Sequence, residues 1–288
     1  MDKFYAYNGI LVGNGNRVLG KKGDPYNPLD LPLHTIRVKF APGYPLSDAG
    51  DSRTLVDAEQ NIWDIYKANS GSPYDYSWSS FYLFGGSGSF EGVQSVLEVL
   101  GANTTGIRCF IGMFGSCSHM TKVALFDTSN AVYTSEMFNE CRALTEVPKY
   151  DLSNVVHCVE MFSNTRISVF PELDLSNVDD AQYMFFGCSR MVEPPILRTS
   201  NKLTNIRGMF DYCSSLKHMP NICTDSITSC SQAFSSCNNI ESGILDMYNR
   251  LSANGIAADN HRETFFDCGK DTTTGAAELA QIPADWKT

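Results

Sequence analysis

The stretch MFNEC at residues 137–141 is one of seven near copies of a single motif in this 288-residue chain. The other copies read MFGSC from residue 113, MFSNT from 161, MFFGC from 184, MFDYC from 209, AFSSC from 233 and TFFDC from 264. Successive phenylalanines are separated by 24, 24, 23, 25, 24 and 31 residues. A catalytic motif is normally present once, whereas a period of about 20 to 50 residues is typical of repeats that bury their apolar faces against one another.

Apolar residues before each motif predict a short helix. Val155 and Cys158 stand six and three residues before Met161, and the other copies have residues at equivalent positions. This spacing places the apolar side chains on one helical face. An Asp-x-Ser-Asn segment precedes the stripe at 127–130, 151–154 and 174–177, and such side chains cap helix starts. Each repeat is therefore predicted to contain a capped helical turn that ends at Met-Phe.

Apolar residues after each motif predict a short strand. Met120 to Val123 and Leu144 to Val147 alternate as strands do, and one strand per repeat would pair in parallel with the next. Prolines follow at a constant place, and since proline has no N–H for a ladder, each strand should end just before them. The predicted fold class is α+β: a leucine-rich-repeat-like solenoid of about 24-residue repeats with one short parallel strand and one short helix per turn.

The cysteine column allows two interpretations, a metal or disulfide scaffold and a row of buried thiols. Zinc sites use close pairs of ligands such as CxxC, and the chain contains no CxxC. Because free cysteine packs as a small hydrophobe, the column is predicted to be interior and reduced. The column consists of Cys117, Cys141, Cys188, Cys213, Cys237 and Cys268, with Thr165 in the gap.

The pattern DLSNV…MFxxC…L resembles the BspA-type leucine-rich repeat, in the variant found in bacterial surface proteins and in tail-associated proteins of phages and prophages. The resemblance covers about residues 89–268. It implies binding or adhesion, with a virion or surface location, and it supplies no catalytic residues. Ligands within that family are diverse, so the resemblance leaves the ligand open.

Segments outside the repeats predict two caps. Residues 1–88 contain alternating stretches such as 4–7, 10–12 and 35–40 between turns, which predict a β-rich N-terminal cap or docking domain with a short helix near 58–67. The solenoid is assigned to residues 89–268 and a C-terminal cap segment to residues 269–288. Helices are expected around Ile244 to Leu251 and from Ala276 to Ile282, with Trp286 completing the cap.

Composition and motifs exclude several functions. The net charge of −10 without a basic run disfavours nucleic-acid binding. No stretch approaches eighteen apolar residues, and the N-terminus lacks the order of a secretory signal, so we expect no membrane span and no classical signal peptide. The five histidines are scattered and no GxSxG elbow occurs. We therefore expect a non-enzymatic protein without cofactor or metal.

Variable residues on the regular frame are the candidates for ligand binding. Lys122, Glu146, Glu193 and His218 should point outward from the strands, with Tyr150 beyond one proline. A second candidate surface is the aromatic cluster at residues 74–84, including Tyr76 and Trp78, because aromatic rings stack on sugars and anchor interfaces. The same rings could instead fill the core of the N-terminal cap, and the strand residues could simply form a solvated face.

Two classes of function remain open. The first is a host-recognition protein or adhesin of a phage tail or cell surface, which holds a host glycan or protein and docks to other virion or surface proteins through its N-terminal domain. The second is a structural decoration subunit that acts as a rigid spacer. Either would be cytoplasmic during synthesis and would reach the surface without a classical signal, for example by virion assembly and lysis.

Overall fold

A computed structural model describes residues 5–7, 10–13, 17–19, 31–42, 52–66 and 93–288. Its strands are β1 Tyr5–Tyr7, β2 Ile10–Gly13, β3 Arg17–Leu19, β4 Thr35–Phe40, β5 Ser52–Asp57, β6 Ile62–Tyr66, β7 Val96–Asn103, β8 Lys122–Val123, β9 Leu173–Asp174 and β10 Leu197–Arg198. Its α-helices are α1 Ile244–Ser252 and α2 Thr273–Ala280, and short 3-10 turns span Ala258–Asn260 and Ala284–Trp286.

The N-terminal region is built of strands in its described parts, as predicted. β1, β2 and β3 form an antiparallel sheet, and a second sheet has the order β5-β6-β4-β7-β8. β4 begins and ends where the alternation predicts, with Ile36, Val38 and Phe40 buried on one face. The helix expected near 58–67 is wrong, because residues 62–66 form β6, which is hydrogen-bonded to β4 on one side and β5 on the other.

The five-stranded sheet joins the N-terminal region to the repeats. β7 pairs antiparallel with β4, and β8, from the first described repeat, pairs parallel with β7. The hydrophobic core is continuous across this junction, since Val38 and Val99 belong to the same cluster as Phe114. The boundary predicted at residues 88 and 89 itself lies outside the described residues.

The predicted α+β leucine-rich-repeat-like solenoid is wrong. In the described part of the chain both α-helices follow residue 243, so no repeat contains the expected short helix. The strands within the repeats are only two residues long, and the largest sheet is mixed rather than a parallel sheet of one strand per repeat. Residues 144–147 form no strand, and β9 and β10 begin after Pro171 and Pro195 instead of ending before them.

The MFxxC motifs form hydrogen-bonded turns instead of helices. The N–H of Phe138 donates to the carbonyl oxygen of Met161 in the next repeat (2.9 Å), and the N–H of Glu140 likewise donates to Ser163. Between them, the N–H of Cys141 donates back to the carbonyl oxygen of Phe138, three residues earlier (3.1 Å). The same pattern, two hydrogen bonds to the next repeat and one back within the motif, recurs at each of the six junctions between motifs. We call the hydrogen-bonded motifs, residues 107–268, the turn ladder.

Backbone conformation explains why these segments do not continue as helices. Each motif has two residues with positive φ, four residues apart, such as Glu136 (57°) and Glu140 (61°), or Gly208 (57°) and Tyr212 (59°). A left-handed residue ends the run of right-handed dihedrals that a helix requires and costs a non-glycine residue about 1–2 kcal/mol. The hydrogen bonds to the neighbouring repeat offset this cost, because they satisfy N–H groups that would otherwise be buried without partners.

The Asp-x-Ser-Asn segments cap turns rather than helices. One carboxylate oxygen of Asp151 accepts from both the backbone N–H and the hydroxyl of Ser153, at 3.0 and 2.6 Å. Asp127 and Ser129 repeat both contacts. This arrangement is an Asx turn, which these side chains favour as readily as a helix start.

Stacked phenylalanine rings form the centre of the turn ladder. Neighbouring rings have centroids 5.2–5.9 Å apart and lie within 19° of parallel. Every ring is fully buried, so the prediction that the motifs are interior is confirmed. The stack consists of Phe114, Phe138, Phe162, Phe185, Phe210, Phe234 and Phe265.

The cysteine column is buried beside the rings, and its thiols are free, as predicted. Of all ten cysteines in the chain, only Cys223 is partly exposed. Burial raises the pKa of Cys188 to about 11 and that of Cys230 to about 12. These thiols therefore act as small apolar groups with a weak donor.

The C-terminal residues cover the last ring of the stack. Trp286 is buried, stacks on His261 at 4.2 Å and lies 6.2 Å from Phe265, whose N–H donates to the Trp286 carbonyl oxygen. α1 contains the predicted apolar stripe, with Ile244, Met247 and Leu251 buried. α1 has no side-chain cap of its own. Instead, the carboxylate of Glu278, on α2, accepts from the first two N–H groups of α1, those of Ile244 and Leu245. A negative charge is favourable there, at the positive end of the α1 dipole.

Candidate functional site

Exposed side chains of the turn ladder lie on the surface between the Met and Cys columns, which we call the turn face. At this surface the second residue after Phe is at least partly exposed in every copy, as is the residue before Met in most copies. In two central repeats three positions at this surface are aromatic: Tyr183, Phe186 and Tyr212. Tyr212 is 56% exposed, and the other two are partly exposed.

These three aromatic residues form a continuous group, the aromatic patch. Phe186 packs edge-on against Tyr183 at 5.9 Å and 82°, and against Tyr212 at 5.6 Å and 70°. The guanidinium of Arg207 lies 5.9 Å from the centre of the Tyr183 ring, within cation–π range. Edge-to-face rings at these separations are mutually stabilising, so the patch holds its shape without a ligand.

Glycine makes room for the patch. Gly208 has a φ of 57°, and a Cβ placed on it would lie 2.1 Å from Cε1 of Tyr183. No other residue could occupy this position without displacing the ring, because a Cβ does not approach within about 3 Å of another carbon atom. The Tyr183 ring therefore packs against the backbone of the next repeat, and it can do so because residue 208 is a glycine.

A shallow depression of about 360 Å³ adjoins the patch and opens to solvent. It is lined by Asn164, Phe186, Gly187, Ser189, Tyr212 and Ser214. Two of its walls are the rings of Phe186 and Tyr212, which meet at 70°. The remaining lining groups are an amide, two hydroxyls and backbone, all capable of hydrogen bonding.

Acidic residues lie near the aromatic patch. In the preceding repeats, the pKa of Glu160 is raised by its partial burial and by the neighbouring charges of Glu136 and Glu140. Next to Tyr212, burial raises the pKa of Asp211 to about 6, although a hydrogen bond with Ser235 opposes the shift. One carboxylate oxygen of Asp211 is buried without a hydrogen-bond partner.

Within the described residues, no group of three or more His, Cys, Asp or Glu side chains is arranged to hold a metal ion. No helix in the same part of the chain is long and apolar enough to cross a membrane. The histidines that do contact acids do so singly, as His157 does with Asp179 at 3.1 Å. What the described residues of the turn face offer is contact surface and hydrogen-bonding groups.

The residues predicted from sequence are brought together only in part. Lys122, Glu146, Glu193 and His218 are all exposed, as expected of outward positions. An ion pair joins His218 and Glu193 at 2.8 Å, whereas Lys122 lies on β8 beside Glu98 of β7. Tyr76 and Trp78 lie outside the described residues.

Tyr150 is not a surface residue, so its assignment to the binding face is wrong. It is buried, with its ring 4.8 Å from Phe126 and 5.8 Å from Phe138. Its hydroxyl donates to the carbonyl oxygen of Ala124 at 3.2 Å, and burial raises its pKa well above the usual value. The ring therefore packs beside the phenylalanine stack instead of facing solvent.

The aromatic patch was not among the residues predicted from sequence. The signal was available in the motifs themselves: the two variable positions of MFxxC hold Phe186 in one copy and Tyr212 in another. A variable position within a buried motif faces solvent, and an aromatic residue there has a reason other than the core. That these two residues adjoin follows only from the pairing of their repeats.

A family model described as "Mycoplasma protein of unknown function, DUF285" matches residues 87–198 and again residues 164–248. The two matches together span more than half of the chain, which therefore belongs to this family. They include six of the seven motifs and the whole aromatic patch. No curated protein matches the chain, and no solved structure does either.

Proposed function

We propose that this protein is a non-enzymatic binding protein, an adhesin or host-recognition subunit at the surface of a virion or a cell. The observation that carries the proposal is the aromatic patch: an exposed tyrosine, Tyr212, beside two partly exposed aromatic side chains on the turn ladder. Exposed aromatic groups are enriched where proteins bind partners, because they bring large rigid contact area at a low cost in conformational entropy.

The rigidity of the turn ladder supports this proposal. Stacked rings and backbone hydrogen bonds at every junction fix the positions of side chains on neighbouring repeats. A preorganised surface loses less entropy on binding than a flexible one. The resemblance to BspA-type repeats agrees with adhesion and with attachment to other virion or surface proteins through the N-terminal region.

Adhesion of purified protein to host-surface fractions tests the proposal. The first variant replaces Tyr183, Phe186 and Tyr212 by serine. The second exchanges the charges of the predicted strand face by replacing Lys122, Glu146, Glu193 and His218 together. All of these side chains are at least partly exposed, so both variants should keep the circular dichroism spectrum of the parent. The aromatic variant should melt at a somewhat lower temperature, because it loses the edge-to-face ring contacts, and adhesion is compared where both variants are folded.

We expect the parent to adhere and the aromatic variant to lose most of its adhesion, at least tenfold, while the strand-face variant adheres like the parent. Loss only in the strand-face variant would move the binding surface to Lys122, Glu146, Glu193 and His218. If the parent does not adhere, the adhesin proposal is wrong, and the alternative of a structural spacer leads. Pull-down against proteins of its own assembly would then be positive.

A further inference from the structure

The depression beside the aromatic patch has the geometry of a ligand site. Its volume of about 360 Å³ is at the lower end of the range for small-molecule sites, roughly 300–1,000 Å³. The rings of Phe186 and Tyr212 form an apolar corner, with hydroxyls from Ser189 and Ser214 at its rim. Such a corner can hold a compact molecule that has both an apolar face and polar edges.

Asn164 is held in place at this depression. Its Nδ2 donates to Oε1 of Glu140 at 2.8 Å, so its amide orientation is fixed from the preceding repeat. On the other side, the amide packs closely against Gly187: a Cβ on Gly187 would lie 2.4 Å from Oδ1 of Asn164. The site therefore contains an oriented amide acceptor beside two aromatic rings before any ligand arrives.

The backbone beneath the depression is equally fixed. The N–H of Asn164 donates to Phe186, and that of Gly187 donates to Asp211, at 2.7 and 2.8 Å. The three repeats that contribute to the site are thus joined to one another by main-chain hydrogen bonds. Binding groups that are positioned beforehand make even a shallow site selective.

The absence of charge in the lining restricts the chemical class of ligand that the depression can bind. None of the six lining residues carries a charged side chain at neutral pH, and the charged group that contacts the lining is a carboxylate, that of Glu140 on Asn164. An anionic ligand such as a phosphate or an acidic sugar would find no cation in the lining, and a nucleic acid would also be repelled by the net charge of −10. Uncharged polar groups remain, and they suit a neutral ligand rich in hydroxyls.

We infer that this depression binds a neutral saccharide. The C–H face of a pyranose ring would lie on Tyr212 or Phe186, and its hydroxyls would bond with Asn164, Ser189 and Ser214. The inference rests on the proposed function, since it names the ligand class of the same surface. The ligand inferred for this depression is a sugar and not a protein, because a protein partner would need a larger contact area than the depression offers.

Saturation-transfer NMR and calorimetry test the inference on the full chain. The probes are the neutral sugars maltotriose, cellotriose, lactose and N,N′-diacetylchitobiose, with 3′-sialyllactose as an acidic counterpart. We expect at least one neutral sugar to bind with millimolar affinity and 3′-sialyllactose to bind no better than lactose. Tyr212→Ala should weaken binding of the neutral sugar about tenfold or more, because a stacked aromatic wall is lost.

The matched control is Phe266→Ala, which removes an aromatic residue that is also on the turn face and 45% exposed but does not line the depression. Its sugar affinity should equal that of the parent. Binding of no neutral sugar, equal losses in both variants, or preference for the sialylated probe would each overturn the inference.

Adhesion separates this inference from the proposed function. If the parent adheres to host-surface fractions and adhesion survives periodate but not protease, the protein is an adhesin for a protein partner and the saccharide inference is wrong. If sugars bind and Tyr212→Ala abolishes that binding while no host fraction retains the parent, the saccharide site stands and the adhesin proposal fails.

Discussion

The thiol of Cys213 donates a hydrogen bond to the main-chain oxygen of Phe185 in the preceding repeat, 3.1 Å away. The same contact joins Cys141 to Phe114, where it is also 3.1 Å long. It recurs at two other copies, Cys188 to Phe162 and Cys237 to Phe210. The structure thus explains the final Cys of these MFxxC motifs: it fills a small buried space, and its thiol donates to the main-chain carbonyl oxygen of the phenylalanine in the preceding repeat.

Native thiols should therefore be protected from reagents. At pH 8 the folded protein is expected to react at no more than about one of its ten cysteines, Cys223, because the other nine are buried and the reagent cannot reach them. Burial also raises the pKa of most of these thiols, for example Cys188 and Cys230. Unfolding in guanidinium should expose all ten. Ellman titration measures both numbers, and a Cys223→Ser variant with several fast-reacting thiols would contradict a closed turn ladder.

Truncation within the ring stack should be costly. Phe138 is fully buried between Phe114 and Phe162 at 5.5 and 5.7 Å. Phe138→Ala should lower the free energy of unfolding by about 3–5 kcal/mol, since it removes a large apolar side chain and leaves a cavity. Urea denaturation measures the loss. The exposed Phe266→Ala is the control and should cost less than about 1 kcal/mol; comparable losses would mean that the stack is not the stabilising core.

Stability should depend on the ionisation of Asp211. Burial raises its pKa from 3.8 to about 6, so the folded protein holds this proton more tightly than the unfolded chain does. The stabilising contribution of the protonated form is fully present below about pH 3.8 and is lost as the pH rises through about 6. Ser235 and the Tyr212 backbone favour the charged form, whereas Glu263 opposes it, so the net direction is set by burial.

Asp211→Asn tests this pH dependence, because asparagine has nearly the shape of the protonated acid but does not titrate. The variant should match the parent near pH 4 and exceed it in melting temperature at pH 7. Melting curves across this range provide the measurement. A difference between variant and parent that does not change with pH would show that Asp211 titrates normally in the folded protein.

The effect of substituting Gly275 on stability should be opposite to the effect that helix propensity predicts. Alanine is favoured over glycine inside a helix by about 1 kcal/mol, so the sequence of α2 predicts a gain for Gly275→Ala. The structure predicts a loss, because a Cβ there would lie 2.3 Å from the carbonyl oxygen of Ile240 and 2.7 Å from that of Gly269. Thermal unfolding decides the sign. The control Ala277→Gly, at an exposed position of the same helix, should cost about 1 kcal/mol by propensity alone.

Sequence alone determined the period, the buried columns and three strands of the N-terminal region, β1, β2 and β4. Phe138 and Cys141 could be assigned to the core because a side chain repeated every 24 residues in register with apolar neighbours must meet its own copies. The stripe of α1 was equally readable, since Ile244, Met247 and Leu251 have the spacing of one helical face.

Only the tertiary structure decided how each motif folds and which surface it presents. Apolar residues at intervals of three and four fit one face of a helix and also fit successive turns closed by hydrogen bonds three residues back. The turn is formed rather than the helix because the N–H groups of Phe138 and Glu140 donate to the carbonyl oxygens of Met161 and Ser163 in the next repeat. No local sequence pattern specifies these partners. For the same reason Tyr150 packs on Phe126 and Phe186 meets Tyr212, because both outcomes depend on contacts between segments about 25 residues apart.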